Sequence, residues 1–201
     1  MIKVVCFGDS ITARKEGYPA PILTYKLSAK LPGYQFINAG ISGNTTVEAK
    51  ERLEQDVLKK KPDIVTVLFG ANDSAAHRLV DIEEFKENLR SFAEQIGPSK
   101  TIFISPAPVD ESLQTNRSNE RIQDYARAVE VISRETGSQY IDFFTEFYSK
   151  ENYKALLKGK DNDGLHFGEA GYNLLSGLIA QKLLELKEIK PSFFKRIFKR
   201  F

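Results

Sequence analysis

Short apolar runs alternate with stretches in which apolar residues recur every three or four positions, almost from one end of the chain to the other. Residues 2–7 (Ile-Lys-Val-Val-Cys-Phe) are nearly continuous in apolar character, as a strand covered on both faces requires. Residues 21–31 read as a helix, with Ile22, Leu23, Leu27 and Leu31 along one side and Pro19 and Pro21 near its start. Residues 35–39 make a short second strand. Thr45 or Thr46 then caps a helix through about residue 60, carrying Val47, Leu53, Val57 and Leu58, and Pro62 ends it.

Residues 63–69 (Asp-Ile-Val-Thr-Val-Leu-Phe) form the clearest strand. Asp81 and Glu84 have capping-box spacing for a helix to about residue 96. A fourth strand spans residues 101–105 and is closed by Pro106 and Pro108. Ser118 caps a helix to about residue 135, and residues 140–144 make a fifth strand. The last helix, residues 168–187, places Leu174, Leu175, Leu178, Ile179, Leu183 and Leu184 on its buried side. Strands alternating with helices of this length imply βαβ units. The predicted fold is therefore α/β: a three-layer α/β/α sandwich around a five-stranded parallel sheet. It forms a single domain over residues 1–190, followed by a tail of residues 191–201.

Ligands of such sheets bind at the carboxyl ends of the strands, near a reversal of strand order. The residues just past each strand therefore belong together: Gly8-Asp9-Ser10, Gly40-Ile41-Ser42-Gly43-Asn44-Thr45 and Gly70-Ala71-Asn72-Asp73. The loop before the last helix adds Asp163-Gly164-Leu165-His166. Each stretch alone is an ordinary turn composition. Together they bring a hydroxyl, an imidazole, carboxylates and amide donors to one edge of the sheet.

Composition narrows the setting without changing this picture. The chain has 201 residues, 41% hydrophobic and 28% charged, as an ordinary soluble globular domain does. No apolar run is long enough to cross a bilayer, and the N-terminal run is too short for a signal peptide. One cysteine excludes an internal disulfide and fits a reducing, cytoplasmic compartment. The net charge is +2, but Lys195, Arg196, Lys199 and Arg200 all lie in the last seven residues, leaving residues 1–194 at −2. A mildly acidic body argues against nucleic-acid binding, which needs a basic patch on the folded surface.

A serine nucleophile needs a base within hydrogen-bond reach, and the base needs an orienting acceptor. Ser10 is the candidate nucleophile. The chain has two histidines. His166 follows Asp163 by three residues, so the carboxylate can hold one ring nitrogen while the other faces the serine. His77 follows Asp73 by four, and spacing alone does not exclude it. Its loop also carries Asn72, however, and one loop is poorly placed to supply base and oxyanion donor from opposite sides. Gly43 suits a backbone N–H donor because its lack of Cβ permits close approach. Asn72 offers a side-chain amide, and the Ser10 N–H completes an oxyanion hole.

Rival chemistries find less support. Ser42 lies between glycines but outside a G-x-S-x-G elbow, which the chain lacks. Cys6 falls inside the first strand as a small buried hydrophobe. Neither a phosphate loop nor a G-x-G-x-x-G fingerprint occurs. Two histidines and one cysteine do not point to a dedicated zinc site. No metal or cofactor is expected.

Phe7-Gly8-Asp9-Ser10-Ile11-Thr12, Ala39-Gly40-Ile41-Ser42-Gly43-Asn44-Thr45, Gly70-Ala71-Asn72-Asp73 and Asp163-Gly164-Leu165-His166 together resemble the four blocks of the SGNH (GDSL-type) esterase/lipase family. They stand in that family's order and spacing and span nearly the whole chain. The Gly-Ala-Asn-Asp-Ser and Asp-Gly-Leu-His-Phe versions, with Gly171-Tyr172-Asn173 following, are similar to its isoamyl acetate-hydrolysing branch. The resemblance implies a flavodoxin-like SGNH hydrolase fold, Ser10 as nucleophile, and His166 and Asp163 completing a triad. It also implies Ser10, Gly43 and Asn72 as oxyanion donors.

Residues 74–80 and 106–117 are expected to wall the cleft, with Ala75, Ala76, Leu79, Pro108 and Val109 supplying apolar surface. Neither segment resembles a long lipase lid, which favours small or short-acyl esters. A carbohydrate O-acetyl esterase, an acyltransferase or a thioesterase of the same fold is the alternative. A non-catalytic flavodoxin-like binding module is a third reading, disfavoured because binding alone does not demand the Ser10–Asp163–His166 set. In the tail, Phe194, Ile197, Phe198 and Phe201 recur at helical spacing among the four cations. That pattern fits an interfacial helix on the anionic inner face of a membrane; packing on the body or on a second copy fits it equally. Oligomeric state is not legible.

Overall fold

The computed structural model describes residues 1–189. The basic tail and its expected membrane contact therefore lie outside the described residues.

The elements run β1 (Ile2–Gly8), α1 (Ser10–Ala13), α2 (Ile22–Lys30), β2 (Tyr34–Gly40), α3 (Thr46–Asp56), β3 (Ile64–Leu68) and α4 (Ile82–Ile96). They continue with β4 (Thr101–Ile104), α5 (Asn119–Thr136), β5 (Gln139–Ile141), α6 (Phe143–Tyr148), α7 (Tyr153–Leu156) and α8 (Glu169–Ile189). The sheet is five-stranded and wholly parallel, in the order β2-β1-β3-β4-β5. Strand order reverses between β1 and β3, so the crevice available to a ligand opens at Gly8 and Leu68.

Helices cover both faces, which is why β1 and β3 read as nearly continuous apolar runs, interrupted only by Lys3 and Thr66. Val4 and Cys6 face one core with Ile64, Ile102 and Ile104, packed under α2, α6 and α8. Val5 and Phe7 face the other with Val65, Val67 and Phe103, under α3, α4 and α5. Phe7 meets Phe69 and Phe92 edge-to-face, at ring-centroid distances of 5.1 and 5.6 Å. Burying each such ring contributes about 1.5–3 kcal/mol, so the strand carrying the Gly-Asp-Ser turn is fixed on both sides.

Several local expectations change. The capping box is built by Thr45 and Glu48, whose Oε2 accepts from the Thr45 N–H at 2.7 Å. Asp81 caps α4 by accepting from the Glu83 N–H, and Glu84 does not reciprocate. The helix expected to reach residue 60 ends at Asp56; a 3₁₀ turn at Leu58–Lys60 and a left-handed Lys61 (φ 50°) lead into Pro62. Strand β5 stops at Ile141 because Asp142 accepts the Thr145 N–H and starts α6, drawing Phe143 and Phe144 into a helix. On α8 the buried stripe is Tyr172, Leu175, Ile179, Leu183 and Leu186, whereas Leu184 is exposed. Among the described residues, no helix is long and apolar enough to cross a membrane.

Candidate active site

At the end of β1 the chain turns sharply into α1. Asp9 caps that short helix, its Oδ1 accepting the Ile11 N–H at 2.9 Å. Ser10 is the first helical residue. Tight packing holds α1 in place: the Gly40 α-carbon lies so close that an added Cβ would sit 2.5 Å from the Ala13 nitrogen. The Asn38 amide donates to the Thr12 carbonyl at 2.7 Å, and the Tyr172 hydroxyl donates to the Ile11 carbonyl at 2.9 Å. Arg52 pins the ends of β1 and β2, donating to the carbonyls of Gly8 (2.9 Å) and Ala39 (2.8 Å) and to Asn44 Oδ1 (2.6 Å).

Gly43 adopts φ +80°, a left-handed conformation that strains any residue with a Cβ. From the end of β3, the buried Asp73 carboxylate accepts from the Thr46 N–H (2.7 Å), the Thr46 hydroxyl (2.6 Å) and the Gly70 N–H (3.1 Å). It thereby fixes the Gly43 loop relative to the Asn72 loop. Asn72 Nδ2 donates to the Asn44 carbonyl at 3.0 Å and makes a longer contact to Asp9 Oδ2 at 3.4 Å.

The loop between α7 and α8 brings the remaining groups. Asp163 Oδ1 accepts the backbone N–H groups of Leu165 (3.0 Å) and His166 (2.9 Å), which leaves Oδ2 at 2.6 Å from His166 Nδ1. His166 Nε2 lies 2.9 Å from Ser10 Oγ. This loop is tied to the segment after α1: Arg14 donates to Asp161 at 2.6 Å and also binds Glu16, which accepts the Lys160 N–H at 2.6 Å.

Burial dominates the electrostatics. It pushes the Asp9 carboxyl up to about 7, against the Ile11 N–H that lowers it, with the Asp73 charge adding to the rise. Asp73 is likewise pushed up to about 6 by burial, in spite of its Thr46 donors. Burial also raises Asp163, but the N–H groups of His166 and Leu165 and the imidazole outweigh it and hold this carboxylate below its usual value.

The Asp9 shift has a measurable consequence. An unfolded chain ionises this carboxyl near its ordinary value of about 3.9, so the unfolded state loses its proton first as pH rises. At this site the folded state is therefore favoured at low pH and loses stability as pH climbs toward about 7. Asp9→Asn removes that slope, about 1.4 kcal/mol per pH unit inside the window. Thermal melts of both proteins from about pH 5 to about pH 8 should show the variant gaining on the wild type; parallel curves would refute the shift.

Of the two histidines, His166 stands beside Ser10, while His77 is exposed on the 3₁₀ turn Ala76–Arg78. Ser42 is exposed in its loop. The expected apolar wall is corrected at its buried members. Ala75 and Val109 are fully buried, and Val109 packs with Ile122, Ala126 and Phe144 rather than lining a cleft. Pro108 is also buried, whereas Ala76 and Leu79 are exposed. Arg78, from residues 74–80, comes close to Gly43: its Nη1 lies 3.4 Å from where a Cβ on Gly43 would stand, and Nη2 donates to Glu48 at 2.6 Å. Asp161, Asp163 and His166 offer atoms within 4.8 Å of one another, a spacing that could hold a metal ion. All three are already engaged, with Arg14, the imidazole and Ser10.

A hydroxyl backed by an imidazole and a carboxylate, with amide donors on two neighbouring strand ends, is the equipment of a serine-dependent acyl hydrolase. Comparison with known proteins agrees. A sequence profile of the GDSL-like Lipase/Acylhydrolase family matches residues 6–174. An acetylxylan esterase of Geobacillus stearothermophilus is 31% identical, over 87% of this chain and 90% of that one. The human isoamyl acetate-hydrolyzing esterase 1 homolog is 28% identical, over 94% of this chain and 86% of that one. The crystal structure of a lipase/acylhydrolase from Enterococcus faecalis superposes with a TM-score of 0.85 at 32% identity, covering 91% of this chain and 95% of that one. The chain belongs to the GDSL-like lipase/acylhydrolase family and is a carboxylic ester hydrolase.

Proposed function

We propose that the protein cleaves esters of short acyl groups, acetate foremost, through an acyl-Ser10 intermediate. The observation that carries this reading is the continuous relay Ser10 Oγ–His166 Nε2 (2.9 Å) and His166 Nδ1–Asp163 Oδ2 (2.6 Å). His166 takes the Ser10 proton as the hydroxyl attacks the ester carbonyl, and Asp163 stabilises the imidazolium that forms. The carbonyl oxygen becomes an oxyanion held by the N–H groups of Ser10 and Gly43 and by the Asn72 amide. The 3.4 Å contact from Asn72 to Asp9 is the weaker of its two, so that hydrogen can be redirected to the oxyanion. The imidazolium then protonates the departing alcohol. Water, deprotonated by His166, attacks the acyl-serine and releases the acid and the free hydroxyl.

The short-acyl preference draws on the Arg78 guanidinium beside Gly43, which puts a charged group where a long alkyl chain would seek an apolar wall. The acetate-cleaving names of two relatives support it. Small-molecule esters are the partners expected. A panel of p-nitrophenyl esters tests the reading: kcat/KM should fall by at least about tenfold from acetate to octanoate, since misfitting methylenes cost about 1–3 kcal/mol. A rising profile would overturn it. Carbohydrate acetates are a second reading, favoured by the same charged group beside Gly43; acetate release from acetylated xylo-oligosaccharides would select it.

A further inference from the structure

Residues 106–117 cross from the end of β4 to α5, with Val109 packed away against Ile122, Ala126 and Phe144. The segment's contribution is polar. Arg117, immediately before the α5 cap Ser118, is half-buried behind Asn72. Its Nε donates to the Ala71 carbonyl at 2.8 Å, Nη2 to Asn72 Oδ1 at 3.0 Å, and Nη1 to Gln114 Oε1 at 2.8 Å. Gln114 Nε2 in turn donates to the Asp163 backbone carbonyl at 2.7 Å. An unbroken chain of hydrogen bonds thus runs from the Asn72 amide to the loop that carries the base and its orienting carboxylate. Segment 106–117 also joins that loop directly, by the Asp110 N–H donating to the Gly164 carbonyl at 2.8 Å.

A guanidinium can only donate, and a side-chain amide has one accepting end and one donating end. Arg117 therefore fixes which way Asn72 faces. Rotating the amide by half a turn would set its NH₂ against the guanidinium, donor to donor, and turn its carbonyl toward the Asn44 carbonyl and the Asp9 carboxyl. An oxyanion would then meet another oxygen instead of an N–H. A charged donor on the amide oxygen also polarises the group and strengthens the N–H it offers at the other end. Arginine suits the task because its fork serves three acceptors at fixed angles.

We propose that Arg117 is a positioning residue for the ester-hydrolysing centre. It locks the Asn72 amide with its NH₂ edge turned to the oxyanion, and through Gln114 it registers that lock against the Asp163 loop. The proposal rests on the reading of Asn72 as an oxyanion donor, and a double-mutant cycle separates the two. Asn72→Ala should lower kcat on p-nitrophenyl acetate by about 10²–10³-fold. Arg117→Met, which keeps length and loses every donor, should lower kcat by about 30–100-fold with KM within about threefold, since it disturbs a bond strengthened only in the transition state. Arg117→Lys, which can still donate to Asn72 Oδ1, should recover at least a third of that loss on a logarithmic scale. In the Asn72→Ala background either change should cost less than about threefold, because the group it acts through is gone.

An Arg117 effect that persists undiminished without Asn72 overturns the proposal while leaving the oxyanion reading intact. Wild-type kcat in Asn72→Ala overturns the oxyanion reading and the proposal with it. Should Arg117→Met fail to fold, the same cycle run with Arg117→Lys decides on the same criterion.

Discussion

Ser10→Ala leaves a folded protein that no longer turns over esters, with kcat on p-nitrophenyl acetate lower by about 10⁴–10⁶-fold. The fold should survive because, among the described residues, the Ser10 hydroxyl bonds only to His166, while the α1 backbone is held by Asp9, by the Arg14 N–H on the Ser10 carbonyl and by the packing of Gly40. Circular dichroism and thermal melting matching the wild type would establish this. The acyl burst with p-nitrophenyl acetate and labelling by a fluorophosphonate should disappear together. Rival nucleophiles are poorly equipped to take over. Ser42 is exposed in a loop without the imidazole that serves Ser10. The Cys6 thiol is pushed up to about 12 by burial within β1, so almost none of it is thiolate at neutral pH. Retained turnover in Ser10→Ala, with loss in Ser42→Ala, would move the nucleophile to Ser42.

Reading the chain from its pattern reached the sheet, its three strand-end turns and the Asp163–His166 loop because each leaves a local mark. Strands β1 and β3 are nearly continuous apolar runs since both faces are covered, and glycine marks the exits where the chain turns sharply or approaches another backbone. The spacing of Asp163 and His166 is local too: three residues let one carboxylate bind two backbone N–H groups and the ring at once. Less was legible wherever contacts join distant residues. Helix α1 spans only four residues, too few for any period. Nothing in the sequence pairs Asp73 with Thr46 or Arg117 with Asn72, separated by 27 and 45 positions. The apolar residues beside the turns misled for a related reason. Ala75 and Val109 serve the local core, and a side chain that comes close to Gly43 is a charged one, Arg78, whose loop shows no pattern distinguishing inward from outward positions.

Asp163→Asn should cost about 10⁴-fold in kcat with little loss of stability, and the geometry states why. Asp163 uses its two oxygens differently: Oδ1 holds the loop by accepting two backbone N–H groups, and Oδ2 receives the imidazole at Nδ1. An asparagine can keep its carbonyl oxygen on the backbone donors, so the loop stays folded. Its NH₂ then replaces Oδ2 and faces Nδ1. A donor there forces Nδ1 to accept, which moves the ring proton to Nε2, the nitrogen beside Ser10. Nε2 with a proton cannot accept one from the serine, and the neutral amide cannot stabilise an imidazolium. The variant should therefore bind ester with KM little changed and fail in the chemical step, for both acylation and deacylation. Steady-state kcat, the size of the burst and the imidazole nitrogen shifts in NMR check this together. Near-wild-type kcat, with the ring proton still on Nδ1, would show that Asp163 is a loop anchor rather than the group that orients the base.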